Sequence, residues 1–353
     1  MPSELRLTAV GDILISHKII ASTGISRTGQ RDFAPLFRHA APILRLADLT
    51  IGNLEIPLAG PEERYTRKSE ATGFYTFNAP DELAPALKDA GFDVLVTANN
   101  HCLDRGLDGL RRTLDVLDSC GLSHTGTYRT AEEASVPLIR EVNGIRVGML
   151  AYSKSTNKIP IPPGYDWCVD LLDEDRMLRE VRALRPLCDV LVVCPHWGRE
   201  YTHRPVEVQR RLMRRLLSGG ADVVLGSHPH VIQPALRTPK QAALYSLGNF
   251  ISPTLMNNPA TRSGLIFSAL IVKEEDGTVW IRDTDYVPTW TRRLGKGPAM
   301  RYEVVPALPT WVSAGKRYGL SRREERELAG AARHTMKVLR TPVMPRRGRR
   351  DQV

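Results

Sequence analysis

Two histidines one residue apart, His228 and His230, stand behind the aliphatic run Val223 to Leu225 and the break at Gly226, within the stretch Ala221 to Pro234. Neutral imidazole is a ligand for zinc, iron, manganese and other transition metals. This spacing lets two rings reach adjacent ions where a buried strand opens into a loop. Alone, the pair reads equally well as a solvated turn. The arrangement recurs, however. Leu5 to Val10 runs into Gly11-Asp12, Asp48 to Gly52 into Asn53-Leu54-Glu55, Phe92 to Ala98 into Asn99-Asn100-His101, and Asp189 to Cys194 into Pro195-His196-Trp197-Gly198. Ligands of open α/β sheets bind outside the carboxyl ends of the strands, so these carboxylates, amides and imidazoles are expected on one rim. Two divalent cations about 3.5 to 4 Å apart would there lower the pKa of a water and clamp the oxygens of a phosphoryl group during in-line attack. Carboxylate, amide and imidazole donors suit manganese, iron or zinc.

The elements that must position these residues alternate along the chain. Ser16 to Asp32 reads as a loop over the rim, Phe33 to Leu46 as a helix, and Gly60 to Gly73 as a charged, flexible insertion. Asn78 is expected to cap a helix that Gly91 ends, and leucines 107, 110, 114 and 117 mark one face of another that Gly121 closes. Ser123 to Thr125 reads as a short strand whose His124 is not a ligand. Asn143-Gly144 and Asp276-Gly277 each signal an antiparallel hairpin, Val136–Val142 with Ile145–Tyr152 and Gly264–Val272 with Thr278–Val287. Lys154 to Trp167 reads as a loop, Asp173 to Arg185 and Pro205 to Leu217 as helices, and Ser246 and Asn249, at another strand end, as shapers of the rim or, more commonly for such residues, part of a polar turn. Early βαβ alternation followed by hairpins predicts an α/β domain over residues 4–300, with a pair of sheets covered by helices.

Composition fits a soluble globular chain of 353 residues, 42% hydrophobic and 25% charged. The net charge of +10 is concentrated after residue 300: Arg301 to Val353 hold 13 Lys or Arg against 5 Asp or Glu. This basic extension, residues 301–353, reads as a solvated helix over about 321–340 followed by a disordered tail. Without aromatic interleaving or a nucleic-acid motif, no nucleic-acid partner is expected. The odd number of cysteines, five, and the lack of C-x-x-C exclude a disulfide framework or zinc knuckle. Nothing like a signal peptide precedes Leu5 and no run approaches the roughly 18 apolar residues of a membrane helix, so a cytoplasmic location without a membrane span is expected. P-loop, G-x-G-x-x-G and G-x-S-x-G patterns are absent, which excludes those nucleotide-binding and serine-nucleophile sites.

The ordered series Gly11-Asp12, Asn53-Leu54-Glu55, Asn99-Asn100-His101, His196-Trp197-Gly198, Gly226 to His230 and Tyr245 to Phe250 resembles the CapA, or poly-γ-glutamate capsule biosynthesis, family. That family is similar to the calcineurin-like metallophosphoesterases, so the resemblance implies a four-layer α-β-β-α sandwich with mixed sheets and a dinuclear metal site. It places Asp12 on the first metal with His230, Glu55 as the bridging carboxylate, and Asn100, His196 and His228 on the second. His101 would face the substrate and either protonate the leaving oxygen or stabilise charge; acid catalysis is a role worth about two to four orders of magnitude in rate. Trp197 and Arg199 are candidates to line the pocket. Metallophosphoesterases usually carry Asp-x-His on the first strand, whereas Leu14 stands two residues after Asp12, which leaves His17 as a substitute ligand to be tested. The function implied is a metal-dependent hydrolase of a phosphoester on a small-molecule substrate. The alternatives are a capsule-type accessory enzyme acting on glutamyl amide bonds and a non-catalytic binding protein on the same fold.

Overall fold

The computed structural model describes residues 2–25, 29–295, 297, 300–307 and 318–343. Two sheets face each other. The first runs in the order Arg301–Pro306, Val279–Leu294, Ser263–Lys273, Ser3–Ile13, Leu49–Leu54, Val94–Val96, Ser123–Thr125, and Asn249–Ile251 pairs in parallel with the end of Ser3–Ile13. The second runs Ala235–Arg237, Ala242–Leu244, Val223–Leu225, Val190–His196, Ile145–Ser153, Leu138–Val142. Strands carrying the candidate residues run parallel to one another, Ser3–Ile13 with Leu49–Leu54, Leu49–Leu54 with Val94–Val96, and Val190–His196 with Ile145–Ser153 and Val223–Leu225, while Ser263–Lys273 flanks Ser3–Ile13 in the antiparallel sense. Both expected hairpins form, at Asn143-Gly144 and around Gly277.

Alternation along these strands builds the layers. Val190, Val192 and Cys194 point between the sheets with Leu5, Leu7, Ala9, Leu49, Ile51, Val223 and Leu225. Their neighbours Leu191, Val193 and Val224 point outward, onto Met177, Leu178 and Val181 of the helix Glu174–Leu184 and Leu212, Met213 and Leu216 of Glu207–Gly219. On the far face of the first sheet, Ile13 and Leu95 pack against Leu36, Phe37, Leu44, Leu83 and Leu87 from helices. Each such side chain contributes about 1.5–3 kcal/mol on burial. The result is the expected α-β-β-α sandwich. Among the described residues no helix is long and apolar enough to cross a membrane.

Several connections differ from expectation. Ser16 to Asp32 is not plain loop: it holds the helix His17–Ser22 and the pair Gly24–Ile25 with Arg31–Asp32. Phe33 to Leu46 forms two single-turn helices, Ala34–Phe37 and Ala41–Leu44, because Pro35 and Pro42 each suit a first turn but not an interior. Within Gly60 to Gly73, Thr66–Lys68 pairs with Tyr75–Phe77, and Glu62 takes hydrogen bonds from Arg105 at 2.6 and 2.9 Å. Asn78 does not cap the helix Leu83–Ala90; its side chain bonds Ala59 N and Gly60 O, both at 2.8 Å. Past residue 300, Arg301–Pro306 continues the first sheet, and Val338 and Leu339 of the helix Arg322–Leu339 join the core between the sheets. The tail expected to be disordered falls outside the described residues from 344 onward.

Candidate metal centre

Two glycines bring the strand ends together. A Cβ on Gly11 would lie 1.9 Å from the Gly248 carbonyl oxygen, and one on Gly226 would lie 2.1 Å from that of Tyr245, so at both places only a bare backbone lets adjoining segments meet. The Gly226 loop then carries His228 and His230 with φ of +93° and +57°. Left-handed backbone at a non-glycine residue costs about 1–3 kcal/mol and persists where the surroundings enforce it. Here hydrogen bonds from Ser227 N to Pro195 O at 3.1 Å and Tyr201 N to Pro229 O at 2.8 Å clamp the loop.

Six of the sequence candidates converge. Asp12, Glu55 and His230 offer ligand atoms within 4.8 Å of one another, and so do Glu55, His196 and His228, all buried. Glu55 belongs to both groups. Asn100 Oδ1 lies 2.7 Å from His196 Nε2, and His228 Nδ1 lies 3.2 Å from the same nitrogen. Two nitrogens at this separation match two bonds of about 2.0–2.1 Å to one ion at a near-tetrahedral angle. His101 stands apart from both groups. Its Nδ1 is 2.8 Å from Asp104 Oδ2, and its ring meets Phe77 edge-on at 4.7 Å.

The fit of this pocket to cations rests on buried carboxylate oxygens that lack hydrogen bonds and face only imidazoles, the nearest contact being His230 Nδ1 at 3.2 Å from Asp12 Oδ2. Asp12 Oδ2 and both oxygens of Glu55 are buried without a hydrogen-bond partner. Such atoms cost several kcal/mol when nothing compensates them, and a cation is the partner that the geometry leaves room for. Burial opposes charge on His230, but Glu55 and Asp12 overcome it and push its pKa up to about 10; a field that holds a proton also holds an ion. Burial, followed by the charges of His196 and His230, drives His228 well below the usual histidine range, leaving the neutral ring that ligation needs. For His101, burial is outweighed by Asp104, whose charge and hydrogen bond raise its pKa.

Supporting residues that the sequence did not single out orient these groups. Asn53 donates to Asp12 Oδ1 at 2.7 Å and so turns Oδ2 inward; Ser227 Oγ lies 2.9 Å from His196 Nδ1, leaving Nε2 for the centre. Asn249, read as a rim or turn residue, opens the strand Asn249–Ile251 and places Oδ1 2.9 Å from His230 Nδ1. The spacing His101 to Asp104 was the available signal for the dyad, since three residues bring two side chains to one side of a turn. Two other expectations fail. His17 is exposed at the start of a helix and belongs to neither ligand group, while Leu14 is buried in the outer core. Trp197 does not line the pocket; it packs in the outer core of the second sheet and donates to Tyr245 O at 2.9 Å.

The family profile described as Bacterial capsule synthesis protein PGA_cap matches residues 6–254. The chain belongs to this family. Among capsule synthesis relatives, the capsule biosynthesis protein CapA of Bacillus anthracis is 30% identical over 252 residues, 70% of this chain and 60% of the relative. The PGA biosynthesis protein CapA of Bacillus subtilis is 29% identical over 248 residues, 70% of this chain and 63% of the relative. The matched part therefore spans about three-fifths of these relatives' length. A solved protein of Staphylococcus aureus assigned as a 5'-nucleotidase shares the fold, with a TM-score of 0.52 at 14% identity over 94% of this chain and 58% of that one.

Proposed function

We propose that this capsule-synthesis family member is a metal-dependent hydrolase of a phosphoester, with a dinuclear centre held by Asp12, Glu55, Asn100, His196, His228 and His230. The observation that supports this best is Glu55, buried, unpartnered at both oxygens and shared by the two ligand groups. Manganese, iron or zinc suits the oxygen and nitrogen donors. Two such cations, when bound, supply Lewis acidity to an attacking water and to the phosphoryl oxygens. The protein's own part is orientation and proton handling. Asp104 accepts from Nδ1 of protonated His101 and so aims Nε2–H, raised in pKa, at a leaving oxygen. His101 and His228 keep 7% and 8% exposure where Asp12, Glu55 and His196 have none, so substrate approaches from their side.

Metal analysis combined with turnover of p-nitrophenyl phosphate and bis-p-nitrophenyl phosphate tests the reading. Two equivalents of metal are expected in the wild type; Asp12→Ala should lose metal and turnover together. His101→Ala should keep the metal while turnover falls about 10²- to 10⁴-fold. Protein that binds no metal, or turnover unchanged in both variants, contradicts it. A second reading, hydrolysis at a glutamyl amide, is favoured by the PGA biosynthesis assignment in the name of the Bacillus subtilis relative. Two metal equivalents with release from glutamyl amides and none from phosphoesters would select it.

A further inference from the structure

We infer that Asn157 is a positioning residue for the second cation, fixing which end of the Asn100 amide faces it; the assignment rests on the dinuclear reading above. Asn157 lies in the irregular stretch between Ile145–Ser153 and the helix Glu174–Leu184, yet only 9% of it is exposed. Asn157 and Lys158 are consecutive left-handed residues, φ +51° and +62°. Neither is glycine, so the surrounding contacts enforce the turn. Thr156 brackets it, with Oγ1 donating to Ile159 O at 2.6 Å and its carbonyl accepting from Ile159 N at 2.9 Å.

That turn aims the Asn157 side chain at Asn100. Asn100 Nδ2 donates to Asn157 Oδ1 at 3.1 Å, while Asn100 Oδ1 lies 2.7 Å from His196 Nε2. The two ends of an amide are nearly equal in size, but only the oxygen ligates a cation. An acceptor at Nδ2 makes the two orientations unequal, because the flipped amide would set oxygen against oxygen. Asn249 obeys the same logic beside His230: its Nδ2 donates to Thr261 O at 2.7 Å and its Oδ1 faces the ring. For Asn100, however, the acceptor comes from a different loop, so the placement of that loop governs the ligand. The same Asn157 amide nitrogen is 3.4 Å from both ring nitrogens of His101 and selects neither, while Nδ1 remains with Asp104.

The test titrates manganese alone, then zinc alone, into metal-free protein by calorimetry. The proteins are the wild type, Asn157→Gly, which keeps the left-handed backbone without the acceptor, and Asn157→Asp, which keeps an acceptor oxygen. Asn157→Gly should bind one equivalent as the wild type does and the second about 10- to 100-fold more weakly. Asn157→Asp should bind the second at least as tightly as the wild type. Wild-type affinity for both equivalents in Asn157→Gly overturns the assignment alone, as does an equal loss in both variants. Weakening of both equivalents with a lower melting temperature of the metal-free variant marks general structural damage and also counts against it. A wild type that binds fewer than two equivalents overturns the dinuclear reading and this assignment with it.

Discussion

At the rim where the parallel strands begin, Asp48, Asp93, Asp189 and Asp222 each precede a strand and reach sideways to its neighbour. Their Oδ2 atoms accept from Arg6 N at 2.7 Å, Thr50 N at 2.9 Å, Arg146 N at 2.8 Å and Leu191 N at 2.8 Å. Asp189 also meets Arg146 and Lys273, and Asp222 meets Arg185. At the opposite rim, where the strands end, Asp12 and Glu55 sit deeper and yet keep three oxygens without a hydrogen bond. Carboxylates of one chemical type thus do different things at the two ends of the same sheets. Where a backbone N–H and a cationic side chain answer the charge, the group fastens one strand to the next. Where the fold surrounds the charge with imidazoles and leaves carboxylate oxygens without hydrogen bonds, it holds open a place for ions.

Three experiments sharpen this contrast. The first removes the charge that supports His101. Asp104→Asn should lower turnover about 10- to 100-fold while metal content stays unchanged. It should also change the pH profile in a defined sense. Asp104 raises the His101 pKa against burial, so the acid form persists to higher pH in the wild type; without that charge, the alkaline limb of kcat should move to lower pH. An unmoved limb would remove His101 from the role of proton donor. The second acts at the strand-start rim. Asp189→Asn should cost about 1–2 kcal/mol in a denaturant titration and leave metal binding untouched. Burial opposes ionisation of Asp189, but hydrogen bonds from Arg146 and the Lys273 charge hold its carboxyl at about 2. Its stabilising contribution is therefore complete above the unfolded carboxylate pKa and fades as pH falls from there through about 2. A loss of metal on this substitution would erase the distinction between the rims.

The strand-end half of the centre was legible because a ligand at a strand terminus leaves two marks at once, an apolar run and a polar residue behind it. Asp12, Glu55, Asn100, His196, His228 and His230 all carry those marks, and βαβ alternation followed by hairpins foretold a pair of sheets covered by helices. Asn157 carries neither mark: it sits in a proline-rich stretch without periodicity, and its importance comes from a left-handed turn that brings it to Asn100 across 57 positions of chain. Asn249 was legible as a strand-end residue of the rim or a turn former but not as a partner of His230, which lies on the other sheet's connection. The helix and strand pair inside Ser16 to Asp32 and the strand Thr66–Lys68 inside Gly60 to Gly73 were hidden by polar composition. Their order comes from contacts such as Arg105 with Glu62 and not from local propensity.

The third experiment bears on the central claim, that Glu55 is buried and unpartnered because it serves two ions. It is a thermal melt of wild type and Glu55→Gln, each metal-free and with saturating manganese. A ligand at a hundredfold its Kd stabilises by about 2.7 kcal/mol per site, so the wild type should melt several degrees higher with metal. Glu55→Gln should lose that rise and melt, metal-free, no more than a few degrees from the wild type. A metal-free variant that is strongly destabilised while keeping the full metal-induced rise would show that Glu55 holds the fold and not the ions.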